Sequence, residues 1–309
     1  MYYFIVNRLS GKNSSKDVWD KIRHTMDSYN VPFKSYKTEY AGHAGELAAQ
    51  IEGFDDPNAK IIIVGGDGSL NEVLNGLKDA SSVKLGVIPQ GSGNDFARGL
   101  GIKGTTEDIV KEIIHNEKPT PVDLGKVTLD NGVVKYFGVS SGFGLDAIVC
   151  KKVDSGKLKK VLNFLHIGGL TYTLQTIFTL FSMKTFTAKI TTEEKEFSVR
   201  HVIYSAQMNT FAEGGGVPMA PDADVNDGML SICMAAEVSK IKTFFLLPLL
   251  LKAKHTKLKG FRLFNCKTMK AEFDRPVIVH TDGEYIGEVT SLSYEVLDGK
   301  LQILNKIVD

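Results

Sequence analysis

Cysteine is scarce: Cys150, Cys233 and Cys266 are all the chain has in 309 residues. None stands in a CxxC pair, so a disulfide framework and a cysteine-rich zinc site are excluded, and a reducing compartment fits. The seven histidines are scattered without HExxH spacing, which removes a zincin-type centre. A GxxxxGK[ST] loop and a GxGxxG run are both missing, so neither a P-loop nor a dinucleotide fingerprint is present. Charge of one sign is lacking too. With 37 Lys and Arg against 36 Asp and Glu the net charge is +1, too little for a polyanion binder that works through bulk charge; nucleic acid is not an expected partner. The opening MYYFIVNRLSGK has a short apolar part and no basic leader, so a secretory signal is not expected there.

Long hydrophobic runs are nearly absent. The stretch from Val161 to Met183 has no formal charge and the length to span a bilayer. It also contains Asn163, His166, Gln175 and four threonines, while Leu170, Leu174, Ile177, Phe178 and Phe181 recur at helical spacing. That spacing predicts a helix with one buried face rather than a membrane span. The uncharged run Thr243 to Leu251 is too short to span.

What remains is enough apolar residue, 43% of the chain, for two domains with cores of their own. Up to about residue 121, strand and helix signals alternate: Tyr2–Val6, a helix around Lys16–Tyr29, an extended stretch after Pro32, a helix at Ala44–Ile51, the strand Lys60–Val64, a helix at Leu70–Leu77, and the strand Lys84–Ile88. Apolar strands separated by helices predict an α/β domain with a parallel sheet over residues 1–121. From 122 to 291 the pattern changes to short strands between turns, with helices inserted at about 153–183 and 238–254. This predicts an antiparallel β-sandwich.

The loop Gly65-Gly66-Asp67-Gly68-Ser69 follows a strand and opens a helix. Its glycines allow close approach of a ligand, and the helix start offers free N–H groups and a positive dipole end, as a phosphate requires. A carboxylate at Asp67 is repelled by phosphate unless a cation lies between, so Asp67 reads as acting through Mg²⁺. A second loop, Gly91-Ser92-Gly93-Asn94-Asp95, follows the next strand. Asn7-Arg8-Leu9-Ser10-Gly11 follows the first and could form a third wall. All three leave the carboxyl ends of parallel strands, where open α/β sheets bind ligands. In the second half, Asp222, Asp224 and Asp227 fall within six residues, a grouping that suits a hard cation. Asp282-Gly283-Glu284 follows a strand-like run; alone it would ordinarily be a turn, but beside two phosphate-type loops it offers a carboxylate for a hydroxyl proton.

Taken together, Gly65–Ser69 with Asn71-Glu72, Gly91–Arg98, the stretch Asn209–Gly216, Pro221-x-Ala223-x-x-x-Asp227-Gly228-x-Leu230 and Thr281–Glu284 resemble the diacylglycerol kinase catalytic domain family of lipid kinases. The resemblance implies ATP and Mg²⁺ as cofactors. It implies nucleotide contacts from Asn7, Ser10, Gly11, Thr38, Gly65, Gly66, Asp67, Gly68, Ser69, Leu70, Asn71, Glu72 and Ser92. It further implies a Mg²⁺ held by the Asp227 carboxylate with main-chain oxygens near Asp224 and Met229, and catalysis by Glu284, Asp282 and Asp67, with Glu284 as proton acceptor and Asp282 left open as the alternative. Ser69 stands where the family has Thr, and Arg8 where it has Pro. The implied reaction moves the γ-phosphoryl group of ATP to a lipid hydroxyl, diacylglycerol by default.

The implied partner is a lipid at the inner face of a membrane, with the protein cytoplasmic and peripherally bound; a homodimer stays open. Lys151, Lys152, Lys157, Lys159 and Lys160, and Lys240, Lys242, Lys252, Lys254, Lys257 and Lys259, border the least charged segments, as expected for docking on anionic lipid. The tail 292–309 is expected to pack back on the first domain. NAD kinases share the Gly-Gly-Asp-Gly loop and remain an alternative, as does a non-catalytic lipid or nucleotide sensor.

Overall fold

The computed structural model describes residues 1–7, 15–54, 56–116, 118–154 and 168–307. The first domain alternates β1 (Tyr2–Val6), α1 (Ser15–Ser28), β2 (Phe33–Lys37), α2 (His43–Glu52), β3 (Lys60–Gly65), α3 (Asp67–Gly76), β4 (Lys84–Pro89), α4 (Asp95–Gly99) and α5 (Thr106–His115). β1 and β3 are buried almost throughout, as YYFIV and the run of three isoleucines demand, because helices cover both faces of the sheet. β4, β3, β1 and β2 pair side by side and parallel. Their carboxyl ends, and the loops that follow them, therefore share one edge.

The second domain contains β5 (Thr120–Leu129), β6 (Val134–Phe137), β7 (Ser140–Gly144), α6 (Leu145–Asp154), α7 (Gly168–Ser182), β8 (Phe186–Thr192), β9 (Glu196–Val202), β10 (Tyr204–Met208), β11 (Leu230–Ala235), α8 (Lys240–Leu250), β12 (Phe261–Cys266), β13 (Thr268–Thr281) and β14 (Glu284–Ile303). Its pairings are antiparallel. One core fills the sandwich around Phe137, Phe143, Ile190 and Tyr294, and another lies under α6, α7 and α8. The α/β domain followed by a β-sandwich is the architecture the sequence predicts.

Strand boundaries differ at instructive places. Phe197–Gln207 reads as one strand but is two, since β9 ends at Val202, just past His201 at φ 53°, and β10 starts at Tyr204. Met269–Phe273 and Val277–Thr281 join into β13 through an irregularity in register. The short Tyr285–Gly287 signal is the start of a 20-residue strand. That strand, β14, pairs with β13 and β5 in the second domain and, at Gln302–Ile303, runs parallel to β4 in the first. Asn305 then brackets Val87, accepting from its N–H at 2.7 Å and donating to its carbonyl at 2.9 Å. The described strands of both domains thus form one hydrogen-bonded network, in the order β12-β11-β10-β7-β13-β14-β4-β3-β1-β2 with β5, β6, β8 and β9 attached. Among the described residues no helix is long and apolar enough to cross a membrane. The uncharged stretch from Val161 forms α7 from Gly168, and its earlier part lies outside the described residues.

Candidate active site

The two glycine loops touch. A Cβ on Gly66 would lie 2.8 Å from the Gly91 Cα, and one on Gly91 would lie 2.6 Å from the Gly66 Cα. Backbone cannot yield as a flexible side chain can, so both positions require glycine. Gly65 is equally tight, since a Cβ there would sit 2.6 Å from Ser69 Oγ. That hydroxyl accepts from Asn7 Nδ2 at 2.9 Å, which ties the first strand's exit to the β3–α3 loop. Thr38 joins the same edge, its N–H donating to Val6 O at 3.0 Å. Ser10 and Gly11, with Arg8, lie outside the described residues. Asn94, at φ 54°, closes the second loop on itself through Gly91 N–H and Gly91 O. Ser92 is left exposed at its tip.

Asp67 starts α3 but caps a different helix. Its carboxylate accepts the N–H groups of Asp95 at 2.9 Å and Phe96 at 3.0 Å, the first turn of α4. The Asp95 carboxylate is beside it: a Cβ on Gly93 would lie 3.0 Å from Asp67 Oδ2 and 3.4 Å from Asp95 Oδ2. Burial and the Asp67 charge push the Asp95 carboxyl up, although Arg98 pairs with it and Gly215 N–H donates to it at 2.7 Å. Two carboxylates converging at a glycine loop, with open lone pairs remaining, make a donor set that fits a cation. The motif around Asp95 is conspicuous in the sequence, yet this residue's place beside Asp67 could not be read from it.

The next residues of α3 commit their side chains elsewhere. Leu70 is in the core, so only its backbone could face a nucleotide. Asn71 donates to Asp282 Oδ2 at 3.0 Å, and Glu72 caps α2 by accepting Ala44 N–H at 3.0 Å.

The Asp-Gly-Glu segment is a two-residue hairpin turn between β13 and β14, with Thr281 opposite Glu284. Asp282 and Gly283 have φ 46° and 87°, as a type I′ turn requires. The turn points its two carboxylates differently. Asp282 accepts four bonds, from Asn71 Nδ2 and from the N–H groups of Gly138, Val139 and Ser140, all at 2.9–3.0 Å. Burial pushes its carboxyl up, against the pull of these bonds. Glu284 is exposed, and its Oε1 would be 3.7 Å from a Cβ on Gly68. The second domain therefore brings this carboxylate to the start of α3.

Asp224, Asp227 and Met229 share the loop before β11. Asp227 accepts Met229 N–H at 2.9 Å, and Asp224 accepts Asn226 N–H at 3.2 Å. Asp123, fully buried and not singled out from sequence, accepts Gly228 N–H at 2.8 Å and Gly299 N–H at 2.7 Å. Burial raises the Asp123 carboxyl, and the charges of Asp298 and Asp227 raise it further. No three His, Cys, Asp or Glu groups placed to hold a metal occur among the described residues.

A two-domain kinase plan is what this fold and these loops define. Residues 1–127 match the diacylglycerol kinase catalytic domain family, and residues 139–305 match the YegS C-terminal NAD kinase beta sandwich-like domain. YtlR of Bacillus subtilis, named provisionally as a lipid kinase, is 33% identical over 291 residues, 93% of this chain and 94% of its own. The diacylglycerol kinase of the same organism is 30% identical over 288 residues, covering 92% and 89% of the two chains. The fold is shared with a Bacillus anthracis structure, named provisionally as a diacylglycerol kinase, at TM-score 0.75 and 24% identity over 98% of this chain and 97% of that one. It is shared more distantly with an NAD kinase from Archaeoglobus fulgidus solved with ATP, at TM-score 0.55 and 13% identity over 99% and 94%. The chain belongs to the diacylglycerol kinase catalytic domain family, and that membership supports a kinase.

Proposed function

We propose that the protein transfers the γ-phosphoryl group of ATP to a lipid hydroxyl, with diacylglycerol as acceptor and phosphatidic acid as product. The observation that carries this reading is the exposed Glu284 carboxylate beside Gly68. Phosphoryl transfer to an alcohol needs a positioned phosphate, neutralised charge and a base for the hydroxyl proton. The Gly65–Gly68 and Gly91–Gly93 loops and the start of α3 supply the cradle, with Asn7, Thr38, Ser69 and Ser92 at its walls. Asp67, with Asp95 beside it, would hold Mg²⁺, which supplies charge neutralisation on the phosphates. Glu284 takes the hydroxyl proton. Asp282, saturated by four donors, holds the turn and has no capacity left to act as that base. The buried Asp123 carboxyl beside the charges of Asp298 and Asp227, and Asp224 beside Asp227, support a second cation near Gly228, remote from the reacting centre in role, with Asp227 and the main chain near Asp224 and Met229 as its donors.

The acceptor is offered from a membrane surface. Residues 155–192 and 238–271 contain 14 of the 37 Lys and Arg and none of the 36 Asp and Glu. Within these basic stretches α7 and α8, with Leu251 just after α8, leave Phe178, Phe181, Ile241, Phe245 and Leu251 exposed. Lys240 Nζ donates to Phe181 O at 3.2 Å, joining the two helices. Exposed aromatics with a lysine rim suit an anionic bilayer.

Incubation with radiolabelled ATP, Mg²⁺ and mixed vesicles containing diacylglycerol, followed by phase extraction, tests the function. Label in the organic phase as phosphatidic acid is expected. Label recovered in NADP when NAD is added, with none in the organic phase, would favour the NAD kinase alternative and overturn this reading.

A further inference from the structure

His280 is buried two residues before Asp282, and its imidazole takes no part in the phosphoryl transfer itself. β13 places it opposite Gly142 of β7 and Tyr285 of β14. Its Nε2 lies 3.2 Å from Oδ2 of Asp146, in the first turn of α6, whose Oδ1 accepts Ala147 N–H at 2.8 Å. Its Nδ1 lies 3.3 Å from the N–H of Gly283, the second residue of the catalytic turn. An N–H aimed at Nδ1 and a carboxylate at Nε2 together admit one form of the ring: neutral, with its proton on Nε2. The space for this pair is built into the sheet. A Cβ at Gly142 would lie 2.3 Å from Asp146 Oδ2 and 2.8 Å from His280 Nε2.

We propose that His280, oriented by Asp146, is a positioning residue that holds the Asp282-Gly283 turn, and through it Glu284, toward the glycine loop, and does so in its neutral Nε2-protonated form. The proposal deepens the lipid-kinase reading and rests on it. Asp-Gly is a favoured pair for this turn, so the backbone shape needs no help; what the turn lacks by itself is a fixed direction, which contacts on its two sides supply. The Asp282 carboxylate anchors one side of the turn to β7, and His280 anchors the Gly283 amide on the other. A second proton on Nδ1 would set two N–H groups against each other and release that amide. The charged groups facing the ring are Asp146 from α6, Glu213 from the loop after β10 and Asp282 on its own turn. Lys151 of α6 is directed away, to Glu288 and the Tyr285 ring on β14. Burial works against protonation of His280, but the hydrogen bond to Asp146 and the Asp146 charge outweigh it and hold its pKa above the ordinary value. Activity should therefore fall on the acid side as the ring takes its second proton.

The test compares pH–rate profiles of the wild type, His280→Asn and Asp146→Asn, with ring ¹⁵N NMR of the histidines in the full chain. The side-chain carbonyl oxygen introduced by His280→Asn takes the place of Nδ1, accepts Gly283 N–H and does not titrate. His280→Asn should keep activity within roughly tenfold of wild type, a loss of one hydrogen bond's worth, and lose the acid limb. Asp146→Asn should move that limb to lower pH by about one unit, the effect of removing an opposite charge. NMR, assigned through His280→Asn, should show a ring protonated at Nε2 and bare at Nδ1 above the transition. An acid limb unchanged in either variant, or a proton on Nδ1 at high pH, would overturn the proposal. If the wild type phosphorylates no lipid at any pH, the kinase reading fails on that measurement, while the NMR titration still decides the state of the ring.

Discussion

Asn71 of α3 donates to Asp282 of the β13–β14 turn at 3.0 Å, and this bond fixes the helix of the first glycine loop to the turn that carries Glu284. The same amide group reaches the Tyr136 carbonyl at 3.4 Å, and Asn75 one helical turn on brackets Tyr136 through both its carbonyl and its N–H. The first domain thereby meets the second through side chains of α3 as well as through β14.

Asn71→Ala should leave Asp282 with its three backbone donors and one lost partner. A cost of about 1–3 kcal/mol in stability is expected for a bond to a charged acceptor, read by denaturant unfolding. Activity should fall more than that loss of stability explains, because Glu284 loses its fixed relation to Gly68. Equal effects on unfolding and activity would leave Asn71 a purely structural residue.

Asp67→Asn should lose most phosphoryl transfer, since the carboxylate beside the phosphates is gone. Asn retains one acceptor for the Asp95 or Phe96 N–H but presents its amide to the other, so a stability loss of about 1 kcal/mol is also expected. Turnover at saturating Mg²⁺ and thermal unfolding measure the two separately. Full turnover would remove Asp67 from the cation.

Glu213 is half-buried beside Ser140, and burial, with the Asp146 charge, pushes its carboxyl up to about 7. The ordinary value is 4.5, so the folded chain binds this proton more tightly than the unfolded one. Its contribution to stability is full below about 4.5 and is lost as pH rises through about 7. Glu213→Gln removes the ionisation. Its Tm should exceed that of the wild type at pH 8 and approach it at pH 5, and calorimetry across this range shows whether the two curves diverge. Parallel curves would contradict the assignment.

Replacing Lys252, Lys254, Lys257 and Lys259 with Gln, or Phe178 and Phe245 with Ser, should weaken binding to anionic vesicles. Each surface Lys is worth roughly 1 kcal/mol there, and high salt should imitate the Lys set but not the Phe pair. Activity on a short-chain, water-soluble acceptor should change little. Equal losses on both acceptors, in a sedimentation and kinetics comparison, would mean that α7 and α8 serve the fold alone.

Much of this arrangement was legible in the sequence for a physical reason. β1, β3 and β4 are continuous apolar runs ending in glycine loops, and the parallel sheet follows from that alternation. The second domain was harder. β7 is Ser-Ser-Gly-Phe-Gly, which has no apolar run to mark it as a strand, yet Gly142 is there because Asp146 and His280 occupy the space of its Cβ, and Gly144 has φ 103°. The length of β14 was hidden because its pattern is interrupted by exposed polar positions, and its partner changes from β13 to β5 and β4 along the way. At the site, the glycine loops and the Asp-Gly-Glu turn were visible as motifs. Which carboxylate is anchored and which is exposed was not, since that depends on donors from Gly138 to Ser140 and from Asn71, far away in the chain. Asp123, Asp146 and His280 gave no signal, because each owes its place to contacts across the fold, and Glu213 showed only as part of the stretch Asn209–Gly216.

The most direct test of the account is the activity of Glu284→Gln on diacylglycerol vesicles with ATP and Mg²⁺, measured beside ATP binding and thermal unfolding. A positioned base contributes typically about 10²–10⁴-fold, so turnover should drop by that factor while the Tm and the affinity for ATP stay at wild-type values. Turnover within a few-fold of wild type would contradict the account, because a carboxylate that can be neutralised without consequence is not the group that takes the hydroxyl proton.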